Sequence, residues 1–295
     1  MFPRIVVATD MSAYANRAEA RAAMLAQELG SESLDLLHVV DSLALESLRN
    51  LTQPPLDTEQ RLMEASRKQM AEIEHKLSGN YGIPITTATV NVGRAHTEIA
   101  HYAKLLNAGL IVIGAHGVGF LRELFAGSTV DKVLRTVTCP LLIVKQAPQA
   151  RYQRILAPVD FSKSSCRATK FAMNIAPHAH ITVLHAFEVP FEAKLRSSSV
   201  DDKLIQVYET EVQAQKNREM QQLISDLEAP DGSSSGIIEP GSASAVIRKK
   251  MEALKPDLIV IGKHGQSERD EMLLGSVTKY VIQDADCDVL VVGMN

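Results

Sequence analysis

The residues of this chain best suited to chemistry lie in two glycine-rich segments with identical spacing. The first has Gly114-Ala115-His116-Gly117 and, after nine residues, Gly127-Ser128; the second has Gly262-Lys263-His264-Gly265 and, after nine residues, Gly275-Ser276. Each segment follows a short apolar run that is typical of a buried strand. Glycines beyond a strand let phosphate oxygens approach backbone N–H groups, and a Gly-Ser pair can open a helix whose N-terminus attracts anions. The pattern predicts two phosphate-binding loops.

Two interpretations of these loops stay open. In the functional one, Gly114 and Gly117 reach positive φ and cradle a phosphate, while Ser128 adds a hydroxyl donor. In the structural one, the glycines only shape a tight turn and the serine only caps a helix. His116 and His264 either donate to a phosphate or simply face solvent. Because both copies keep all four motif positions, phosphate binding is favoured.

Neither common nucleotide-binding loop fits the two segments. A P-loop needs Lys and then Ser or Thr after its second glycine, whereas Val118 or Gln266 stands there. The dinucleotide fingerprint follows the first strand of its unit, whereas these glycines follow the fourth predicted strand. The segments therefore indicate a different class of phosphate site.

Two aspartates, Asp10 and Asp160, end the first predicted strand of each half of the chain. A carboxylate there could hydrogen-bond a ribose hydroxyl or help to hold Mg²⁺, or it could cap the following helix, a role that Ser12 and Ser162 could share. His38 and His185 end the second predicted strands and are interpreted as satisfied, buried histidines. No nucleophile, base and orienting residue stand together in the pattern, so catalysis beyond slow hydrolysis is not expected.

The glycine segments belong to a duplication that covers almost the whole chain. The stretch 4–12 resembles 154–162, and 138–144 resembles 286–292, at offsets that drift by only one or two residues. A unit of this size can bury its own core. We therefore predict two domains, residues 1–147 and residues 152–295.

Strands and helices alternate in each predicted unit. In the first, strands are expected at Arg4–Thr9, Leu34–Val39, Ile85–Asn91, Leu110–Ile113 and Leu141–Lys145, and helices at Ala13–Leu29, Thr58–Leu77, His96–Leu106 and Ser128–Val137. The second unit repeats this order, with a long polar helix between Val200 and Leu227 and a loop at Asp231–Gly236 that leaves little of the third strand. Such alternation favours a parallel sheet covered on both faces, in which ligands collect at the carboxyl ends of the strands.

Composition limits the class of protein. The chain has 295 residues, 45% hydrophobic and 22% charged, and a formal net charge of -4. There is no basic excess to predict nucleic-acid binding, and no apolar run approaches the roughly 20 residues that span a bilayer. The opening residues leave no room for a signal peptide, and the three cysteines form no C-x-x-C pair. A cytoplasmic location is expected.

With these residues in place, the chain resembles the universal stress protein family in its tandem form. The most specific shared feature is the pattern G-x2-G-x9-G-[ST], which both units match. The resemblance implies an α/β fold with two tandem, doubly wound, five-stranded parallel sheets of order 3-2-1-4-5, related to adenine-nucleotide hydrolases. It also implies that the final strands, Leu141–Val144 and Val289–Val292, pair within one chain as a pseudo-dimer.

The resemblance further implies ATP, or else AMP or ADP, together with Mg²⁺, between strands one and four of each unit. Asp10 and Asp160 are the candidate protein ligands for Mg²⁺. The nucleotide-binding residues implied for the first unit are Thr9, Asp10, Val39, Gly114, His116, Gly117, Gly127, Ser128 and Thr129. Those implied for the second are Val159, Asp160, Ala186, Gly262, His264, Gly265, Gly275, Ser276, Val277 and Thr278.

The two units also depart from each other. Val277-Thr278 is the usual continuation in ATP-binding members, whereas the first unit has Thr129-Val130. At two other positions Asp257 corresponds to Gly109 of the first unit, and Asp288 corresponds to Pro140. The sites are therefore expected to differ. The favoured function is a cytoplasmic ATP-binding stress or signalling protein with an unidentified protein partner and room for a further homodimer. A weak ATPase and a nucleotide-independent scaffold are the alternatives.

Overall fold

Ten strands and the helices between them make up the described part of the computed structural model, residues 4–51, 58–115, 128–188, 202–230, 232–265 and 273–293. The strands are β1 Arg4–Thr9, β2 Ser33–Asp41, β3 Ile85–Gly93, β4 Leu110–Gly114, β5 Leu141–Val144, β6 Arg154–Pro158, β7 His180–Phe187, β8 Ser234–Pro240, β9 Leu258–Gly262 and β10 Asp288–Val292. The helices are α1 Ala13–Leu29, α2 Ser42–Leu51, α3 Thr58–Tyr81, α4 Ala95–Leu105, α5 Thr129–Thr136, α6 Lys163–Ile175, α7 Asp202–Asp226, α8 Ala243–Leu254 and α9 Ser276–Asp284. No helix in these ranges is long and apolar enough to cross a membrane.

All ten strands hydrogen-bond into one sheet of order β3-β2-β1-β4-β5-β10-β9-β6-β7-β8. Within each half the pairs are parallel, and both halves have the order 3-2-1-4-5. This confirms the predicted fold. Strand order reverses between β1 and β4 in the first half and between β6 and β9 in the second. In such sheets a crevice opens outside the carboxyl ends of these strand pairs.

The two halves meet through their last strands. β10 runs antiparallel to β5, with Val289 opposite Ile143 and Val291 opposite Leu141. Each half therefore covers an edge that the other would leave exposed, and exposed edges are prone to unwanted strand pairing. The carboxyl ends of the strands in one half point in the opposite direction from those in the other half.

Helices cover both faces of the sheet. On one face α1, α3, α6 and α7 pack over a single apolar cluster, and on the other α4, α5, α8 and α9 pack over a second cluster. Alternate residues of the strands supply the two clusters: Val7 faces the first and Val6 the second. The strand residues of both clusters are almost fully buried, as a parallel sheet covered on both sides requires.

A buried polar cluster fixes the seam between the halves. Asp288, 1% exposed, accepts through Oδ1 from the backbone N–H groups of Lys145 (2.8 Å) and Gln146 (3.1 Å). Its Oδ2 accepts from the Tyr152 hydroxyl at 2.6 Å and lies 3.4 Å from Arg21 Nε. The Arg21 guanidinium also stacks over the Tyr152 ring, 4.1 Å from its centroid. Asp288, which stands where the first half has Pro140, thus joins β10 to α1 and to the linker between the halves.

Two elements differ from the predictions. Ser234–Gly236, predicted as loop, belong to β8, where they pair with residues 181–183 of β7. The neighbouring side chains leave no room for a side chain at Gly236, because a Cβ there would meet Met220 Cγ at 2.6 Å. Tertiary packing by α7 therefore determines a strand that local propensity did not favour. The helix α2 was not predicted; it follows Asp41, whose Oδ1 accepts from the N–H of Leu43 at 2.8 Å.

Candidate functional site

Each half has a cavity at the carboxyl ends of its first and fourth strands. The first measures about 370 Å³ and the second about 320 Å³, both within the range of roughly 300–1,000 Å³ found for small-ligand sites. The first is lined by Ala8, Thr9, Asp10, Ala15, Leu37, Val39, Asp41, Ala95, Ile99, Ile113, Gly114, Ala115, Ser128, Thr129 and Val130. The second is lined by Pro158, Val159, Asp160, Ser165, Leu184, Ala186, Ala243, Ile247, Ile261, Gly262, His264, Gly265, Gly275, Ser276, Val277 and Thr278.

The structure brings the described candidate residues of each half together. In the first half Thr9, Asp10, Val39, Gly114, Ser128 and Thr129 line one cavity. In the second half all ten candidates, from Val159 to Thr278, line the other. His116, Gly117 and Gly127 lie outside the described residues. Residues of β2 or β7 and residues at the start of α5 or α9 line the same cavity in each half.

A strained turn presents the aspartate of each half. Met11 has φ of 62° and Phe161 has φ of 60°, a left-handed conformation that residues with a long side chain seldom adopt. Asp10 Oδ1 accepts from Ser12 N at 3.0 Å, and Asp160 Oδ1 accepts from Ser162 N at 3.0 Å. The same distorted turn in both halves indicates that the surrounding structure enforces it, as at many ligand sites.

The aspartates are not the helix N-caps. Ser12 Oγ accepts from Ala15 N, and Ser162 Oγ accepts from Ser165 N, each at 3.2 Å. The capping interpretation of Asp10 and Asp160 is therefore wrong, and both residues line their cavities. In the second half Asp160 Oδ1 also accepts from the Ser165 hydroxyl at 2.7 Å.

The residues before the two aspartates differ in their buried partners. Thr9 Oγ1 donates to Glu19 Oε1 at 2.5 Å and accepts from Met11 N at 2.9 Å. Its hydroxyl is thus engaged by two partners within the protein. Burial is the main cause that raises the pKa of Glu19, with the charge of Asp10 adding to it. In the second half Val159 precedes the aspartate, so no such pair forms.

Close packing, rather than positive φ, accounts for the first glycine of each motif. A Cβ on Gly114 would lie 3.0 Å from the backbone carbonyl group of Tyr14 in α1, and one on Gly262 would lie 2.7 Å from Ser164 Oγ in α6. None of the motif glycines that the structure describes lies at positive φ, so that prediction is wrong for Gly114. Gly265 lies against the site itself, because a Cβ added at this position would meet Asp160 Oδ2 at 2.9 Å.

The helix N-termini at the two cavities are built differently. Ser128 is the N-cap of α5, and its Oγ accepts from Asp131 N at 3.1 Å. The N-cap of α9 is Gly275, which has no side chain to cap, and Ser276 is the exposed first residue of the helix. The first N–H groups of α9 therefore face the second cavity without a side-chain cap, which is the arrangement that suits an anion.

His264 is 7% exposed and lines the second cavity. Of the two interpretations of this histidine, the one in which it faces solvent is therefore wrong. The Thr278 hydroxyl, also buried, donates to the carbonyl of Gly262 at 2.8 Å and ties α9 to the end of β9. Val130 at the corresponding position of α5 has no hydroxyl to make this bond.

Sequence reasoning missed some of the lining residues. Ala95 and Ile99 of α4 and Ala243 and Ile247 of α8 close the two cavities on the same side. Both pairs have the spacing i, i+4, and their positions differ by the 148 residues that separate the glycine motifs. The duplication could therefore have revealed them. Asp41, at the end of β2, adds a second carboxylate to the first cavity only.

The donors suit a magnesium ion that arrives with a phosphate ligand. Mg²⁺ keeps several waters and usually binds through one or two carboxylates plus substrate phosphates. Asp160 offers one such carboxylate in the second cavity, and Asp10 and Asp41 offer two in the first. Within the described ranges no group of three or more His, Cys, Asp or Glu side chains is placed to hold a metal by itself.

Comparison with known proteins adds family relationships to this geometry. The model of the universal stress protein family matches twice, over residues 1–145 and 151–293. A universal stress protein of Bacillus subtilis is 31% identical over 150 residues, and one of Thermus aquaticus is 33% identical over 147; each alignment covers 49% of this chain and 100% of the relative. A crystal structure of a universal stress protein from Archaeoglobus fulgidus, 19% identical, covers 100% of both chains with a TM-score of 0.72. A functionally unknown protein from Pseudomonas aeruginosa, also 19% identical, has a TM-score of 0.64 and covers 99% of this chain and 92% of its own.

Proposed function

The chain belongs to the universal stress protein family, and we propose that it binds an adenine nucleotide with Mg²⁺ in each half. ATP is the favoured ligand, with ADP and AMP as alternatives. The nucleotide sets the conformation of the protein, or its choice of a protein partner, in a cytoplasmic stress response. The binding units are residues 1–147 and 152–295.

The observation that carries this proposal is the repetition of one cavity with the same kinds of lining residue. Each cavity is lined by aliphatic residues, by the aspartate that follows the first strand of its half, and by the first residues of α5 or α9. An adenine ring would pack against aliphatic residues such as Val39 or Ala186, and a ribose hydroxyl would reach Asp10 or Asp160. Phosphates would meet the N-terminal turn of α5 or α9, where the helix dipole favours negative charge.

The second half offers more hydrogen-bond donors to a phosphate. There the uncapped N–H groups of α9, the Ser276 hydroxyl and the buried His264 line the same cavity. Both N–H groups and hydroxyls donate to phosphate oxygens, and such charge-assisted bonds are strong. Mg²⁺ would neutralise phosphate charge between the nucleotide and Asp160. All of these groups can serve nucleotide binding without a chemical step.

Binding without efficient turnover is the favoured mode of action. The titratable side chains that line the cavities in the described ranges are Asp10 and Asp41 in one half and Asp160 and His264 in the other. General-base catalysis needs a base that is positioned on the attacking water. Asp160 Oδ1 is already engaged by Ser162 N and the Ser165 hydroxyl, which suits a fixed ligand better than a proton acceptor.

Titration calorimetry with Mg-ATP on the full chain tests the proposal. The wild type should bind up to two equivalents. Val39→Phe should abolish uptake in the first half and Ala186→Phe in the second, because both residues line their cavities and a phenyl ring there would fill space that the ligand needs. Val92→Phe, at an exposed position of β3, is the matched control and should bind as the wild type does.

The alternatives give different results in the same measurements. If the wild type takes up no ATP, ADP or AMP, the nucleotide-independent scaffold replaces the proposal. Steady-state phosphate release distinguishes binding from catalysis, because enzymes typically turn over at about 1–10³ per second. A wild-type rate in that range that is lost in both phenylalanine variants would establish an ATPase instead.

A further inference from the structure

Outside the cavities, one histidine in each half makes the same contact with the strand end. His38 Nδ1 lies 2.9 Å from the carbonyl oxygen of Thr9, and His185 Nδ1 lies 2.8 Å from that of Val159. The accepting residues immediately precede Asp10 and Asp160. The two contacts recur although the surrounding residues differ, with Thr9 replaced by Val159 and Met11 by Phe161. A contact repeated across such changes indicates a shared requirement.

The geometry defines the form of the imidazole. A carbonyl oxygen only accepts, so Nδ1 carries the hydrogen and donates it. In His185, Nε2 is buried and has no hydrogen-bond partner in the described part of the chain. Burial is the main cause that lowers the pKa of His185, which keeps the ring neutral. The ring also packs against Phe161, with 4.4 Å between the ring centroids.

The bond restrains the peptide that leads into each aspartate. The carbonyl of Thr9 and the N–H of Asp10 belong to one planar unit, so an anchor on the oxygen also orients the backbone of Asp10. The following residue, Met11 or Phe161, enters the left-handed region. Such conformations persist only where the surroundings over-determine them. The histidine supplies one such restraint from outside the turn.

The histidines do not contact the ligand cavity. Along β2 and β7 they alternate with the residues that line it, Leu37 and Val39 in one half and Leu184 and Ala186 in the other. Since neighbouring strand residues point to opposite faces, the imidazoles lie on the other face of the sheet, the one that α1 and α6 cover. Any influence on a ligand must therefore pass through the carbonyl and the turn.

We infer that His38 and His185 are positioning residues for the two nucleotide sites. Each holds a strand-end carbonyl so that the next residue, Asp10 or Asp160, faces the cavity in a fixed orientation. This inference rests on the proposed function for its effect on affinity, but its effect on the turn is independent of any ligand. Both histidines are hydrogen-bonded, as the sequence predicts, and the positioning role is added to that contact.

Paired substitutions separate positioning from packing. His185→Leu removes the donor, and His185→Asn keeps an N–H donor at the Nδ1 position. The leucine variant should weaken Mg-ATP binding in the second half about 5- to 10-fold, as expected for the loss of one restraining hydrogen bond. The asparagine variant should restore most of the affinity. His38→Leu and His38→Asn should give the same pattern in the first half, so each half serves as the control for the other.

A second readout tests the turn directly. The amide N–H of Ser162 donates to Asp160 Oδ1, and that of Ser12 donates to Asp10 Oδ1. In ¹⁵N-labelled protein without nucleotide, the amide resonance of the serine in the substituted half should shift in the leucine variant and return in the asparagine variant. If a leucine variant does not fold, comparison of Asn with Gln makes the same test, because Gln carries its amide one bond further away.

The outcomes distinguish this inference from the proposed function. If the wild type binds no nucleotide, the proposed function fails, while the serine amide shifts still decide whether the histidines set the turn. If the wild type binds and the leucine variants bind equally well, the positioning role is wrong. Equal losses in the leucine and asparagine variants, or losses in both halves from one substitution, would likewise overturn it and indicate a general packing effect.

Discussion

The two halves share strand order, cavity position and the strained turn, yet they differ in several polar contacts around the cavities. In the first half the buried polar contacts are internal: Thr9 with Glu19, and Ser128 with the start of α5. In the second half the corresponding region leaves more donors facing the cavity, among them Ser276 and the first N–H groups of α9. The duplication thus preserves the backbone, whereas the side chains around the two cavities have diverged.

The largest difference is at the seam, where Asp288 corresponds to Pro140. Asp288→Ala should destabilise the protein by about 3–5 kcal/mol, because it leaves the charge of Arg21, 5% exposed, buried without its carboxylate. Urea unfolding followed by circular dichroism measures the change. Burial and the adjacent Asp288 raise the pKa of Tyr152, so its hydroxyl remains a donor and Tyr152→Phe should cost less, about 1 kcal/mol.

A small effect of Asp288→Ala would contradict this account of the seam. Asp257→Ala is the comparison variant, because its carboxylate also accepts backbone N–H groups, those of Gln153 and Arg154, but at an exposed site. If Asp257→Ala costs as much as Asp288→Ala, burial of the cluster is not what makes Asp288 important.

The next difference is the buried acid of the first half. Position 19 of α1 corresponds to Thr169 of α6, whose hydroxyl donates to the carbonyl of Ser165 at 3.0 Å. Burial raises the pKa of Glu19 above its usual 4.5, so the native state binds a proton more tightly than the unfolded state does. Between pH 4.5 and the raised value, stability therefore falls as pH rises, and it levels off above that value.

Glu19→Gln should remove this pH dependence and increase stability at neutral pH, because a neutral amide avoids the cost of burying a charged carboxylate. The glutamine carbonyl can still accept from Thr9. Urea unfolding between pH 5 and 8 measures both effects. The double variant Thr9→Val with Glu19→Thr copies the second half and should show the same flat profile. A wild-type profile that is already flat would show that Glu19 is charged in the folded state.

The architecture was predictable because its signals are local and repeated. Apolar runs such as Leu110–Ile113, bounded by glycine, mark strands buried on both faces. Parallel strands place their carboxyl ends at one edge of the sheet, so the sequence alone predicts that Asp10 and Gly114 lie near each other. The second copy then supplied an independent check of the strands other than β8.

The remainder depends on contacts between distant parts of the chain, which periodicity does not encode. The requirement for glycine at Gly114 comes from the approach of Tyr14, and that at Gly236 comes from Met220 of α7. The role of Asp288 was visible only as a departure from Pro140, and its partners lie on α1 and in the linker. Such residues look unremarkable until the fold places their partners beside them.

The smallest expected effects concern the serines that end the two motifs. Ser128→Ala should destabilise the protein by about 1 kcal/mol, because Ser128 caps α5. Ser276→Ala should change stability by less than about 0.5 kcal/mol, because Ser276 is exposed and caps nothing. Its effect should appear instead in calorimetry, as a Mg-ATP affinity about fivefold weaker in the second half.

Ser162→Ala, at the N-cap of α6, calibrates the loss of a capping bond in the second half by the same urea unfolding. If Ser276→Ala destabilises as much as Ser162→Ala and leaves nucleotide affinity unchanged, then Ser276 is structural after all, and the motif performs the same task in both halves. If only affinity changes, one sequence motif has two uses in this chain. The one-residue difference in where α5 and α9 begin would then be the physical cause, because it determines whether the serine hydroxyl bonds to its own helix or remains available to a ligand.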